Sequence, residues 1–127
     1  MSDKTIAQKL FLKEGYSVLL VNPPPGYVTL LGELPPRATL LTQPAGLVDL
    51  ILLFVTSRKE LEEQLPNLKP SLTPKGLLWI AFPKGTSKIK TDINRDSINA
   101  YAHSIGLQGV AIIAIDEVWS ALRLKII

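Results

Sequence analysis

The stretch PKGTSKIK, residues 83–90, carries the residue types best suited to holding an anion. Lysine supplies positive charge, glycine a permissive backbone, and threonine and serine hydroxyl donors, so such a loop can cradle a phosphate or a carboxylate. An arginine a few residues later would add a bidentate contact. The candidate residues are Lys84, Gly85, Thr86, Ser87, Lys88 and Arg95. The spacing differs from that of the phosphate-binding loop of nucleoside triphosphatases, and a solvated surface loop remains the alternative.

Positive charge is concentrated in the second half of the chain. The 127 residues carry a net charge of +3, and five basic residues but one acid lie between Lys75 and Arg95. Such a patch suits an anionic small molecule or a nucleic-acid backbone. No aromatic residue is interleaved with Lys84, Lys88 and Lys90, so we expect a small anion and rank nucleic acid last as a partner.

Residue content excludes several classes of function. The chain has no cysteine and a single histidine, His103, which argues against disulfides, a cysteine nucleophile and a cysteine or histidine metal site. The apolar runs are too short to span a bilayer, and residues 1–15 lack the apolar core of a secretory signal. We therefore expect a single cytoplasmic domain over residues 1–127, without metal or membrane contact.

Hydrophobic patterning and turn residues predict alternating strands and helices. The predicted strands cover residues 16–21, 37–42, 48–55, 76–82, 109–115 and 118–126. Helices are predicted over 5–15 and 25–32, after Ser57, and within 91–106. The alternation favours an α/β fold: a minimal Rossmann-like three-layer sandwich, with a mainly parallel sheet, helices on both faces and an antiparallel strand from the C-terminal hairpin.

Capping residues and apolar stripes define the two longer helices. Ser57 and Glu60 have the spacing of a capping box, and either Thr91 or Asp92 is the expected cap of the later helix. The expected buried positions are Leu61, Leu65, Leu68, Trp79, Ile98, Tyr101, Ala102, Ile105 and Trp119. The basic end of the last strand, LRLKII, would form an edge that leaves homo-oligomer formation open.

Loops at the carboxyl ends of the strands are the expected ligand site. In open α/β sheets, ligands bind outside these ends, where the strand order reverses. The strands at 16–21 and 48–55 would flank that point. Loops 22–26, 42–46, 56–58 and 83–92 would then converge on one crevice.

The order of elements is similar to that of the class I S-adenosylmethionine (SAM)-dependent methyltransferases, in which a final hairpin places an antiparallel last strand between two parallel ones. The segments LLWIAFPKGTSK, DINRD and DEVWSALRLK further resemble a family of small bacterial methyltransferase-like proteins of unknown function. This likeness extends over most of the chain. It implies a shortened Rossmann-like fold and leaves the activity open.

The residues at two positions depart from what this resemblance implies for the cofactor. Methyltransferases usually have an acid and several glycines at the first turn, whereas NPPPGY offers Asn22, a single Gly26 and the aromatic Tyr27. Their second strand usually ends in an acid that binds the ribose, where this chain offers Gln43. We therefore predict no cofactor and no catalytic residue, and we regard these four residues as candidate ligand contacts.

The Asn-Pro-Pro triplet at Asn22 is also similar to a tetrapeptide that holds the target amine in amino methyltransferases. In those enzymes it follows the strand after the switch point, and the aromatic residue comes directly after the prolines. Here it follows the first strand, and Gly26 separates the prolines from Tyr27. We interpret it as a rigid turn that starts a helix.

Three functions are compatible with these observations. We favour a catalytically degenerate methyltransferase-like domain that binds an anionic small molecule or acts as an interaction module. The alternatives are a SAM-dependent methyltransferase with an atypical cofactor site and a nucleic-acid-associated accessory protein.

Overall fold

The computed structural model describes residues 10–23, 36–42, 46–84, 91–115 and 118–126, with Pro74 and Lys75 described by their backbone alone. The strands in this part of the chain are β1 (Ser17–Val21), β2 (Thr39–Leu41), β3 (Val48–Phe54), β4 (Leu72–Pro83), β5 (Leu107–Ala114) and β6 (Trp119–Ile126). The helices are α1 (Arg58–Leu68) and α2 (Arg95–Ser104), and a short 3-10 turn over Lys69–Ser71 follows α1.

One mixed sheet contains all six described strands in the order β2-β1-β3-β4-β6-β5. The pairs among β2, β1, β3 and β4 are parallel, and β6 is antiparallel to both of its neighbours, β4 and β5. The predicted α/β class, the parallel sheet and the C-terminal antiparallel hairpin are therefore confirmed. Because β2 lies on one side of β1 and β3 on the other, the strand order reverses between β1 and β3.

Each face of the central strands buries its own apolar cluster. Alternate residues of β3, such as Ile51 and Leu53, pack with α1 and α2 on one face. The residues between them, such as Leu52, pack on the other face around Trp79, which is fully buried and whose indole N–H donates to the carbonyl of Leu10 at 3.1 Å. Burial on both faces explains why β3 is apolar at almost every position. Both described helices lie on the same face of the sheet.

The N-terminal helix is not formed over its described part. Residues 10–15 form turns, Phe11 has a φ of +63° and Gly15 a φ of +80°, so the expected helix up to Gly15 is wrong there. Leu10 and Leu12 instead bury their side chains in the second cluster. Tertiary packing of these leucines therefore outweighs local helix propensity. Residues 5–9 and the predicted helix at 25–32 lie outside the described residues.

Strand β4 begins earlier than predicted and contains an irregularity. Its register against β3 shifts after Val48, which pairs with Leu72, whereas Leu50 pairs with Leu77. A β-carbon added to Gly76 would lie 2.6 Å from Leu72 Cδ1, so a larger residue at this irregularity would displace the Leu72 side chain.

Helix α1 begins as predicted, with the Ser57 hydroxyl accepting from the N–H of Glu60. Its stripe of Leu61, Leu65 and Leu68 is buried. Pro66 lies inside the helix and has no N–H to offer the carbonyl of Glu62. The Tyr101 hydroxyl of α2 donates to that carbonyl at 3.3 Å, so the second helix supplies the missing donor.

The N-terminus of α2 differs from the prediction. Asn94, rather than Thr91 or Asp92, is the N-cap, and it forms a reciprocal capping box with Ser97. The Asp92 carboxylate is engaged elsewhere, since it accepts from the backbone N–H of Arg58 at 2.7 Å. Sequence spacing could not identify this long-range partner.

The edge of the described sheet also differs from the prediction. Strand β6, which contains the LRLK segment, lies inside the sheet between β4 and β5, so an edge pairing through it is wrong. Strand β5 occupies the edge on that side, and Val110 and Ile112 on it are 38% and 44% exposed.

Candidate functional site

The carboxyl ends of β1 and β3 are joined by the side chain of Asn22. This residue follows β1 with a φ of +60°, a conformation that asparagine tolerates better than most residues. Its amide Nδ2 donates to the carbonyl of Phe54 at 3.2 Å and to Glu60 Oε2 at 2.7 Å. The first turn therefore connects to the end of β3 and to the start of α1 at the reversal point.

Glu60 brings a carboxylate to this point. Its Oε1 accepts from the N–H of Thr56 at 2.9 Å and from the Thr56 hydroxyl at 2.8 Å, and its Oε2 accepts from Asn22. A carboxylate has about four acceptor positions; these three bonds occupy most of them, and the Ser57 N–H also acts on the carboxylate. The reversal point therefore holds an oriented acid.

The pKa of Glu60 is lowered from its ordinary value. Partial burial acts in the opposite direction and raises it. Hydrogen bonds from the Thr56 N–H and hydroxyl, the Asn22 amide and the Ser57 N–H together outweigh that burial, because each favours the charged form. Glu60 is therefore an anion at neutral pH.

A crevice of about 520 Å³ opens at the carboxyl end of β4, beside the N-terminus of α2. The residues that line it are Phe82, Lys84, Asn94, Arg95, Asp96, Ile112 and Ser120. The Lys84 N–H donates to the carbonyl of Val118 at 2.8 Å, which ties the end of β4 to the start of β6. The crevice is on the same edge of the sheet as Asn22 and Glu60, because β1, β3 and β4 run parallel.

Two cations and one carboxylate surround this crevice within the described residues. Arg95 Nε lies 3.7 Å from Asp96 Oδ1, and both side chains are mostly exposed. An ion pair of this kind contributes little energy, so it leaves Arg95 able to bind an incoming anion. Lys84 forms no ion pair with any carboxylate in the described part of the chain.

Three of the ten residues predicted to contact a ligand are described: Asn22 at the reversal point, and Lys84 and Arg95 together at the crevice. The other seven are Gly26, Tyr27, Gln43, Gly85, Thr86, Ser87 and Lys88, which lie outside the described residues. Sequence analysis missed Glu60 as a site residue, since its spacing from Ser57 pointed to a capping role alone. Its position after an apolar strand at the switch point was the available signal.

Comparison with known proteins identifies the fold. No protein-family model and no curated protein sequence matches the chain. A SAM-dependent methyltransferase from Aquifex aeolicus superposes with a TM-score of 0.64 at 15% identity, over 96% of this chain and 88% of that protein. The ribosomal protein L11 methylase of Lactobacillus delbrueckii subsp. bulgaricus gives 0.62 at 13%, over 95% and 74%. The chain therefore has the Rossmann-like fold of SAM-dependent methyltransferases.

The expectation of no cofactor is corrected by these comparisons. The DhpI–SAH complex superposes with a TM-score of 0.66 at 9% identity, over 96% of this chain and 82% of that one, and a DhpI–SAM–HEP complex gives 0.64. The structural neighbours thus include proteins that bind SAM or its demethylated product at this fold. The expectation rested on residues at two positions, the first turn and the end of the second strand, and did not weigh the fold itself, on which these neighbours hold the cofactor.

Within the described ranges, no group of three or more His, Asp or Glu side chains is arranged to hold a metal ion. None of the helices found there is long and apolar enough to cross a membrane.

Proposed function

We propose that this chain is a single methyltransferase-like domain that binds SAM at the reversal point between β1 and β3. The observation that carries the proposal is the Asn22–Glu60–Thr56 network at the carboxyl ends of those two strands. Ligands of open α/β sheets bind at such a reversal, and the structural neighbours bind this cofactor on the same fold.

The chemistry of Glu60 fits the cofactor. SAM carries ribose hydroxyls, which donate hydrogen bonds, and a positively charged sulfonium, which a nearby carboxylate stabilises. Glu60 is charged at neutral pH and lies at the reversal point, where the hydroxyls or the sulfonium of the cofactor would meet it. It can therefore replace the acid that methyltransferases usually carry at the first turn, where this chain has Asn22.

Titration calorimetry of the full chain with SAM and with S-adenosylhomocysteine tests this proposal. We expect binding of both, weakened about tenfold by Glu60→Gln, since one hydrogen bond to a charged group contributes about 1.5 kcal/mol. Glu63→Gln is the matched control, because Glu63 lies on the exposed side of the same helix and its carboxylate makes no hydrogen bond within the described structure. Absence of heat at millimolar ligand, or an equal loss in both variants, would contradict the proposal.

Catalytic degeneracy is a narrower part of the same proposal. Asn22 occupies the position of the usual acid and donates to Glu60, so the arrangement at this point is not the usual one. On this narrower proposal, the cofactor is bound without turnover. Steady formation of S-adenosylhomocysteine from SAM in the presence of a methyl acceptor would instead identify a working methyltransferase.

The crevice at Lys84 and Arg95 supports a second binding function, for an anionic group. The two cations of the crevice are accompanied by a single carboxylate, that of Asp96. Lys84 follows β4 and Arg95 begins α2, so the fold brings together cations from two different elements. Inorganic phosphate should shift the NMR signals of both residues, and Arg37→Gln, at a distant exposed arginine, should leave the phosphate affinity unchanged. Signals that stay fixed up to high millimolar phosphate would exclude this function.

A further inference from the structure

The crevice at Lys84 continues into a second cavity of about 220 Å³ between α2 and β5. The two cavities share Arg95, Asp96 and Ile112 on their linings, so they adjoin, and together they are called the groove here. One end of this groove is the crevice that contains Lys84. The other end runs along the edge strand towards Gly109.

The far end of the groove combines exposed aliphatic side chains with the polar side chains of Arg95, Asp96 and Asn99. Val110 and Ile112 on β5 are 38% and 44% exposed, and Leu122 of β6 forms a buried floor between β5 and α2. Apolar side chains on an exposed edge strand favour contact with another apolar group. Here Val110 and Ile112 line the same groove as the two cations, rather than a flat surface.

Gly109 allows β5 and α2 to pack closely at this end of the groove. Its N–H donates to Asn99 Oδ1 of α2 at 2.9 Å. A β-carbon at Gly109 would lie 3.0 Å from that oxygen and 3.3 Å from Leu122 Cδ1, so a larger residue would displace Asn99. The register of β5 against β6 shifts between Gly109 and Ala111, which leaves Val110 in the irregularity. The end of the groove beside Gly109 and Val110 is thus a defined part of the sheet edge.

We propose that the groove binds an amphipathic anion, a small molecule with a phosphate or carboxylate head and an apolar body. The head lies between Lys84 and Arg95, and the body lies along Val110 and Ile112 above Leu122. Charge complementarity orients the ligand, because Lys84 lines only the crevice and Arg95 lies where the two cavities meet. This inference rests on the proposed anion site and adds the chemical class of its ligand; it does not depend on SAM binding.

Three probes separate the two ends of the groove: inorganic phosphate for the head, hexanol for the body, and hexyl phosphate for both. With the full chain, we expect hexyl phosphate to bind at least about tenfold more tightly than phosphate, since each buried methylene contributes about 0.8 kcal/mol and several are partly buried. Hexyl phosphate should also shift the methyl signals of Val110, Ile112 and Leu122 in a carbon–proton spectrum.

Variants then assign each end. Lys84→Gln and Arg95→Gln should weaken both phosphate and hexyl phosphate, whereas Val110→Ser, at a residue that lines only the second cavity, should remove most of the gain from the hexyl chain and leave phosphate binding intact. Leu47→Ser is the control for Val110, because Leu47 is 63% exposed and lies outside the groove.

Each outcome gives a decision. Equal affinities of phosphate and hexyl phosphate would overturn the amphipathic ligand and leave the anion site standing. Hexanol binding as tightly as hexyl phosphate, or no binding by any probe, would overturn both. A hexyl phosphate affinity that falls equally in Leu47→Ser and Val110→Ser would place the ligand elsewhere and overturn the assignment to this groove.

Discussion

At the scale of single residues, the reversal point is organised by one carboxylate that four donors keep charged. Glu60 accepts from the backbone and the side chain of Thr56 and from the amide of Asn22, and the Ser57 N–H adds to the lowering of its pKa. Because Asn22 is the donor in this arrangement, an aspartate in its place would set two carboxylates against each other. The amide at the first turn is thus complementary to the acid on α1.

The lowered pKa of Glu60 predicts a pH-dependent contribution to stability. A carboxyl whose pKa is lower in the folded state binds fewer protons there than in the unfolded state, so its stabilisation is present above its ordinary value of 4.5 and is lost as the pH falls through the lower folded value. We expect Glu60→Gln to reduce the free energy of unfolding by about 1 to 2 kcal/mol at pH 7. Urea unfolding of both proteins should show this difference shrinking below pH 4.5.

Glu63→Gln should show no such pH dependence, because its carboxylate is not held by hydrogen bonds within the described structure. A Glu60→Gln difference that stayed constant between pH 7 and pH 3 would show that the charge of Glu60 contributes nothing to folding.

At the scale of elements, α1 tolerates an internal proline because α2 compensates for it. Pro66 removes the donor for the Glu62 carbonyl, and Tyr101 supplies one from the neighbouring helix at 3.3 Å. We expect Tyr101→Phe to cost about 0.5 to 1 kcal/mol in the natural chain. In a Pro66→Ala background, the restored N–H takes over the carbonyl, so the same change should cost clearly less. Thermal or urea unfolding of the four proteins in this double-mutant cycle gives the coupling.

An additive cycle, in which Tyr101→Phe costs the same with Pro66 and with alanine, would show that the hydroxyl contributes independently of the proline. Tyr101→Phe retains the ring that packs beside the first apolar cluster, so the measured change reports on the hydroxyl alone.

The sequence predicted an element well where a local pattern determines its bounds, and poorly where a residue distant in the chain determines them. Strand β3 follows from an unbroken apolar run, and the start of α1 follows from Ser57. The cap of α2 was misplaced because Asp92 is held by Arg58, thirty-four positions earlier in the chain. The segment up to Gly15 was misjudged because Leu10 packs beside Trp79 and does not continue a helix. The carbonyl of Leu10 accepts a hydrogen bond from the indole N–H of Trp79.

The candidate site could be predicted only in outline. The strand order placed a ligand at the carboxyl ends of β1 and β3, and Lys84 and Arg95 were grouped from their charge. The role of Glu60 depends on Asn22, which is thirty-eight positions away, and a spacing rule cannot detect such a pair. The groove along β5 depends on how α2 packs on Gly109, which is equally invisible in a linear pattern.

At the scale of the whole molecule, the two faces of the sheet are coupled through the strands they share. Trp79 and Trp119 are both buried in the cluster around Leu52, whereas α1 and α2 pack on the opposite face. Tryptophan fluorescence therefore reports on one face, and the part of the helical circular dichroism signal that comes from the two described helices reports on the other. Since alternate residues of the same strand β3 supply both clusters, loss of the strand removes both at once.

We therefore expect the two signals to change at the same urea concentration and with the same slope, as in one cooperative unit. Substitution of a residue on either face should shift both curves together; Leu65→Ala, under α1, should lower the free energy of unfolding by about 2 to 5 kcal/mol and move the fluorescence transition although it is remote from both tryptophans. Separate midpoints, or a fluorescence curve that Leu65→Ala leaves in place, would mean that the helical face unfolds independently and that the 127 residues are not a single folding domain.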